Sequence, residues 1–151
     1  MTTARIETGL GRVFLLVEDG ALRELRFEDG DLHESPQAAP FARRVRAYFE
    51  GDLQAFDGAR LSPRGTEFQQ AVWALVRRIP AGETRSYGEL ARALGRPTAS
   101  RAVGGANGAN PACLAIPCHR VIGAGGALTG YAWGVHRKRW LLDHEQAAPL
   151  L

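Results

Sequence analysis

Two capping boxes, Thr66-Glu67-Phe68-Gln69 and Ser86-Tyr87-Gly88-Glu89, constrain this chain more than any other pattern in it. In each, a hydroxyl can accept from the backbone N–H three residues on, while a Gln or Glu side chain reaches back to the cap's own N–H; both are helix starts. After the first, Phe68, Ala71, Val72, Leu75, Val76 and Ile79 share one helical face, and Pro80-Ala81-Gly82 ends the run. The second opens a short helix that Gly95 stops, and a turn at Arg96-Pro97 leads to a third helical segment over about residues 98–108. Two short helices across a tight glycine-containing turn read as a helix-turn-helix candidate. The third segment, Arg101-Ala102-Val103-Gly104-Gly105-Ala106-Asn107-Gly108, has almost no bulk, although each glycine costs a helix about 1 kcal/mol relative to alanine. Small residues there would let the backbone approach a groove while Arg101 reaches in, or would let two helices pack closely. Composition leaves both open.

The first half follows a different period. Arg12-Val13-Phe14-Leu15-Leu16-Val17 and Ala21-Leu22-Arg23-Glu24-Leu25-Arg26-Phe27 flank Asp19-Gly20, a favoured tight-turn pair, so a small antiparallel sheet is expected. Phe41, Val45, Tyr48 and Phe49 then recur at helical spacing before Gly51, a helix that would cover one sheet face. Residues 52–64, with Asp57, Gly58 and Pro63, read as a connector. The fold class is therefore α+β, divided into an N-terminal α/β domain over 1–64 and a mostly helical domain over 65–151.

With 151 residues, 45% of them hydrophobic, the chain can bury an ordinary core and is not disordered. Residues 1–20 lack a basic start followed by an apolar stretch, and no apolar run approaches the roughly 18 residues of a membrane span; a soluble, cytoplasmic protein is expected. Cys113 and Cys118 make no disulfide framework and fit a reducing compartment. Charge is uneven: residues 1–64 carry 9 Arg against 11 acidic groups, net −2, and residues 65–151 carry 10 Arg plus Lys against 5, net +5. A basic second half suits a phosphate backbone, but many basic proteins bind no nucleic acid.

The chemistry centres on Ile116-Pro117-Cys118-His119-Arg120-Val121, where a thiol and an imidazole adjoin in an apolar run. A free cysteine, with a pKa of about 8.5, is only slightly ionised at neutral pH, and a positioned histidine can raise that fraction. Sequence neighbours do not usually face each other, so adjacency alone is more often packing than catalysis. A glycine-rich loop over residues 123–134 could wall a pocket, but it has no GKS or GKT ending and is no P-loop. Residues 135–146 then read as a helix carrying Trp140, Leu141, Leu142, Asp143 and Glu145.

Taken in order, the chain resembles the O6-alkylguanine-DNA alkyltransferases, the methylated-DNA-protein-cysteine methyltransferases. The likeness runs from Gly65-Thr66-Glu67-Phe68-Gln69 and Val72-Trp73 through Ile79-Pro80-Ala81-Gly82 and Ser86-Tyr87-Gly88-Glu89-Leu90-Ala91. It continues through Arg101-Ala102-Val103-Gly104, Asn107-Gly108-Ala109-Asn110-Pro111 and Ile116-Pro117-Cys118-His119-Arg120-Val121-Ile122-Gly123 to Gly130-Tyr131, Lys138 and Leu141-Leu142-Asp143-His144-Glu145. The first 64 residues match only in size and layout. The resemblance implies a ribonuclease H-like antiparallel sheet with a helix, then a winged helix-turn-helix domain that bears the cysteine.

It also implies roles. Cys118 would take the alkyl group from guanine O6 irreversibly, once per molecule. His119 would deprotonate Cys118 through a water, and Glu145 would fix the imidazole. Tyr87 would stabilise the departing guanine, and Asn110 would hold the turn before the cysteine segment. Backbone groups at Cys118, Val121 and Ala132 would read the base edge, with Tyr131, Trp133 and Lys138 at the pocket; Trp133 stands where some relatives carry glycine and would tighten it against bulky alkyl groups. Arg101 would enter the duplex where the nucleotide has been extruded, with Thr98, Ser100, Ala102, Gly105 and Ala106 against the DNA.

The implied partner is double-stranded DNA containing O6-alkylguanine, with O4-alkylthymine a further candidate. No membrane, obligate protein partner or cofactor is expected, and the protein would act as a monomer. Some relatives hold zinc in the N-terminal module, but no cysteine precedes Cys113 and His33 is the only histidine there, so no metal is expected. Three rivals compete: a non-catalytic lesion binder, whose relatives replace the acceptor cysteine; a thiol hydrolase that turns over; and a sequence-specific helix-turn-helix regulator.

Overall fold

The computed structural model describes residues 1–128 and 130–146. Thr129, within the glycine-rich loop, and residues 147–151 lie outside the described residues. The fold is α+β, with an antiparallel sheet and five α-helices among the described residues. It forms two compact units, one of residues 1–64 and 111–115, the other of residues 65–110 and 116 onward.

In the first unit, β1 (Thr2–Thr8), β2 (Gly11–Glu18), β3 (Ala21–Phe27) and the short β4 (His33–Glu34) form an antiparallel sheet in the order β3-β2-β1-β4. The Asp-Gly pair makes the tight turn between β2 and β3 because both residues adopt positive φ, Asp19 at 51° and Gly20 at 75°. Strand alternation sends Ala4, Ile6, Val13, Leu15 and Val17 inward. Helix α1 (Ala39–Phe49) contributes Phe41, Ala42, Val45 and Tyr48 to the same core.

Residues 52–64 are built into this unit instead of spanning it as a connector. Ala55, Phe56 and Ala59 are buried, and Leu22 exchanges backbone hydrogen bonds with Arg60 and Ser62 at 2.9 Å each. Asp57, Gly58 and Pro63 mark turns, but turn chemistry does not reveal that the residues between them alternate into the core. Segment 111–115 is held in the same way, the Leu25 N–H donating to Pro111 O at 2.9 Å and the Cys113 N–H to Leu25 O at 3.0 Å.

The second unit begins at its capping box. Thr66 accepts from the Gln69 N–H at 3.1 Å, and the Gln69 side chain accepts from the Thr66 N–H at 2.9 Å, opening α2 (Glu67–Arg77). The buried face of α2 is Val72, Trp73 and Val76, with Ile79 buried beyond its end. Ala71, expected inside, is exposed, and Trp73 takes the inner position because its indole N–H donates to the Ala106 carbonyl at 2.8 Å. Ser86 and Glu89 form the second reciprocal box at the start of α3 (Tyr87–Ala93), and α4 (Ser100–Gly108) follows. A two-stranded parallel ladder joins β5 (Arg85–Ser86) to β6 (Val121–Ile122), and α5 spans Val135–Gln146. None of the described helices is long and apolar enough to cross a membrane.

Gly65 is required by packing, since a Cβ there would lie 2.4 Å from the Trp73 ring. Gly108, at the end of α4, has open space around the same position. Gly65→Ala is expected to destabilise the protein by about 1–3 kcal/mol through overpacking, and Gly108→Ala to leave stability unchanged or slightly raised. Chemical denaturation of the two variants checks this contrast.

Candidate active site

The 3-10 turn Cys118–Arg120 places the thiol and its partners. Pro117 caps the turn, and the Cys118 N–H donates to Ile116 O at 2.7 Å. Two asparagines clamp the segment from α4 and its end: Asn107 Nδ2 donates to Cys118 O at 3.2 Å, and Asn110 Nδ2 to Ile116 O at 2.8 Å. Cys118 is only 6% exposed, yet it lines a cavity of about 280 Å³ with Tyr87, Asn110, Tyr131, Ala132 and Trp133. Five residues that sequence placed at the site therefore meet the cysteine around one space.

His119 and Glu145 are brought together across 26 positions of sequence. The His119 Nε2 and Glu145 Oε2 atoms are 2.7 Å apart, and both side chains are essentially fully buried. Arg120, for which the sequence reading gave no role, binds the same carboxylate: Nε donates to Oε1 and Nη2 to Oε2, each at 2.9 Å, and Nη1 donates to Ile79 O at 2.6 Å. The bidentate fork matches guanidinium to carboxylate geometry. A cation in the apolar run Ile116–Val121 was the available sign, because an arginine buried there needs an anion.

With the carboxylate ionised, His119 Nε2 must carry the hydrogen, which leaves Nδ1 as the basic nitrogen. Nδ1 is buried and has no protein hydrogen-bond partner among the described residues. Burial raises the Cys118 thiol above its ordinary range, opposed by a hydrogen bond from Asn110 and the charge of Lys138. Burial also lowers His119, and Glu145 works against that. Thiol and imidazole are therefore both neutral at rest.

Lys138 lies behind the cavity wall and does not line it. It is 0% exposed, with Nζ donating to Val121 O at 2.7 Å and to Gly130 O at 3.3 Å. Burial lowers its pKa, and its carbonyl contacts fix the strand after the cysteine and the loop that carries Tyr131. Val121 itself is fully buried. On α4, Arg101, Ala102 and Gly105 are exposed, as is Thr98 before it, and Ser100 is half-buried. Ala106, expected on that outer face, turns inward at 4% exposure and supplies the carbonyl that holds Trp73.

Burial pushes the Glu145 carboxyl upward, but the hydrogen bonds and charges of His119 and Arg120 outweigh it and bring the pKa to about 2. A carboxyl depressed in the folded state stabilises the fold above its unfolded pKa, and that contribution disappears as pH falls from about 4.5 through 2. Its size is on the order of 3 kcal/mol. The unfolding free energy of the wild type should fall across this window more steeply than that of Glu145→Gln, which is the less stable of the two at neutral pH. Denaturant titrations at several pH values test both statements.

Residues 67–147 match the family described as 6-O-methylguanine DNA methyltransferase, DNA binding domain. The methylated-DNA–protein-cysteine methyltransferase of Mycobacterium bovis is 47% identical over 94% of this chain and 90% of its own. That of Methanosarcina acetivorans is 44% identical over 96% and 98%. The crystal structure of Mycobacterium tuberculosis OGT in complex with DNA superposes with a TM-score of 0.88 at 44% identity, covering 98% of this chain and 95% of that one. By a match across more than half its length, and by relatives that cover nearly all of it, the chain belongs to the methylated-DNA–protein-cysteine methyltransferase family.

Proposed function

We propose that the protein repairs DNA by moving the alkyl group of O6-alkylguanine onto Cys118, one group per protein molecule. The observation that carries this reading is a buried thiol lining the cavity, followed in sequence by an imidazole that a buried carboxylate fixes. The thiol proton passes to His119 Nδ1 through a water, and Sγ displaces the alkyl carbon. The new bond is S–C, and the bond broken is C–O6, whose electron pair stays on the guanine. A thioether has no leaving route under these conditions, so the cysteine is not regenerated.

Tyr87 lines the same cavity as Cys118, and its phenol can donate to a guanine ring nitrogen as negative charge grows there. Asn110 holds the turn through Ile116 O and also bonds the thiol, which ties α4 to the position of the sulfur. Tyr131, Ala132 and Trp133 enclose the base, while Lys138 and Val121 act from behind by fixing the wall. The thiol is buried at this cavity, so the target nucleotide would leave the stack to reach Sγ.

The partner is double-stranded DNA. Thr98, Arg101, Ala102 and Gly105 offer a basic, low-relief surface on α4 that suits shallow contact with a groove, with Ser100 at its edge and Ala106 supporting from within. The helix pair α3–α4 with the β5–β6 ladder supports a winged helix-turn-helix reading of the second unit, and the four-stranded sheet with α1 supports a ribonuclease H-like reading of the first. A cytoplasmic setting fits a reaction that needs a reduced thiol.

Intact-mass spectrometry after incubation with a duplex carrying one O6-methylguanine tests the assignment. The wild type should gain the mass of one methylene and Cys118→Ser none. A mass gain that survives in Cys118→Ser, or an unchanged wild type that still binds the lesion, would contradict it.

A further inference from the structure

Glu145 is shared. Its carboxylate accepts from His119 on one oxygen and from Arg120 on both, and Arg120 is pinned a third time by the Ile79 carbonyl. An ion pair of this kind is not needed merely to orient an imidazole, since a single carboxylate does that. What the arginine adds is charge. The charged groups that act on His119 are Glu145 and Lys138 from α5, and Arg120 from its own segment, with the titratable Cys118 next to it in sequence. Ile79, at the end of α2, contributes only a carbonyl, and that carbonyl is taken by Arg120.

We propose that Arg120 is a positioning residue whose counter-charge keeps Glu145 from loading a proton onto His119, so that the imidazole waits as an empty base and transfer is insensitive to pH near neutrality. The inference rests on the alkyl-transfer reading given above. With Arg120 present, its charge opposes that of the carboxylate it grips, and Lys138 adds to the opposition, so the pull of Glu145 on a proton at His119 is weakened. Burial then favours the neutral imidazole. The resting state, thiol with imidazole, and the reactive state, thiolate with imidazolium, hold the same number of protons. Interconversion between them is an internal transfer from Sγ to Nδ1, and its equilibrium does not depend on pH.

Without the arginine, an isolated buried carboxylate would stabilise the imidazolium. The resting state would then hold one proton more than the reactive state, and that proton must leave to solvent before the sulfur can attack. The rate would rise about tenfold per pH unit below the new pKa. Lysine in place of Arg120 keeps the charge but loses the fork, so it should restore the flat profile even where it does not restore full stability.

The experiment has two arms. In the first, the His119 ring of the intact wild-type protein is followed by nitrogen-15 NMR through pH 5.5–8 (about the range of an unperturbed histidine), with Arg120→Gln and Arg120→Lys beside it. The wild type and Arg120→Lys should show a neutral ring with hydrogen on Nε2 throughout, and Arg120→Gln a protonated ring at the acid end. In the second, single-turnover methyl transfer from an O6-methylguanine duplex is timed across the same range, expected flat for wild type and Arg120→Lys and rising with pH for Arg120→Gln. A wild-type ring that is protonated at pH 7 overturns the inference without need of any variant, as does a flat profile for folded Arg120→Gln. Absence of methyl transfer from wild type would instead overturn the alkyl-transfer reading, which the ring measurement does not depend on.

Discussion

The carboxylate of Glu145 is the point on which the second unit turns. It sits on α5, accepts from His119 and Arg120 on the cysteine segment, and through Arg120 reaches the carbonyl of Ile79 at the end of α2. Three separate stretches of chain are thus joined by charge-assisted bonds in a place where water cannot substitute. Removing one partner of such a group leaves the other charged and buried, which typically costs about 3–5 kcal/mol. The same arrangement that makes the pair expensive to break gives His119 a fixed tautomer, so structure and chemistry depend on one contact.

Side-chain donors hold the backbone around the sulfur by its carbonyls. Asn107 and Asn110 hold carbonyls on either side of Pro117, and Lys138 holds the carbonyls of Val121 and Gly130. The buried ammonium held by these carbonyls acts on the thiol through its charge. The charge of Lys138 favours the thiolate form of Cys118, against the burial that disfavours it.

Much of this was legible in the chain because local rules and tertiary structure agree. The two capping boxes start helices where they stand, the Asp19-Gly20 pair makes its turn, and Gly95 ends α3 with positive φ. Disagreements arise where a residue's partner is distant. Ala71 fits the apolar face of α2 by spacing, but Trp73 wins the interior through a bond to Ala106, 33 positions away. Residues 52–64 carry turn residues yet lie against the first unit through Leu22. Cys118, His119 and Glu145 could be named from a motif, whereas the role of Arg120 depends on a carboxylate 25 positions on and a carbonyl 41 positions back, which no local pattern encodes.

If the sulfur of Cys118 is consumed in the proposed reaction, the amount of repair is limited by the amount of protein. With a several-fold excess of O6-methylguanine duplex, base analysis over time should show repair stopping at one guanine restored per protein molecule, with the amplitude set by protein concentration and unchanged by longer incubation. Continued repair beyond one equivalent would mean that the thioether is cleaved or that Cys118 is not the final acceptor, and would contradict single-use transfer to this cysteine.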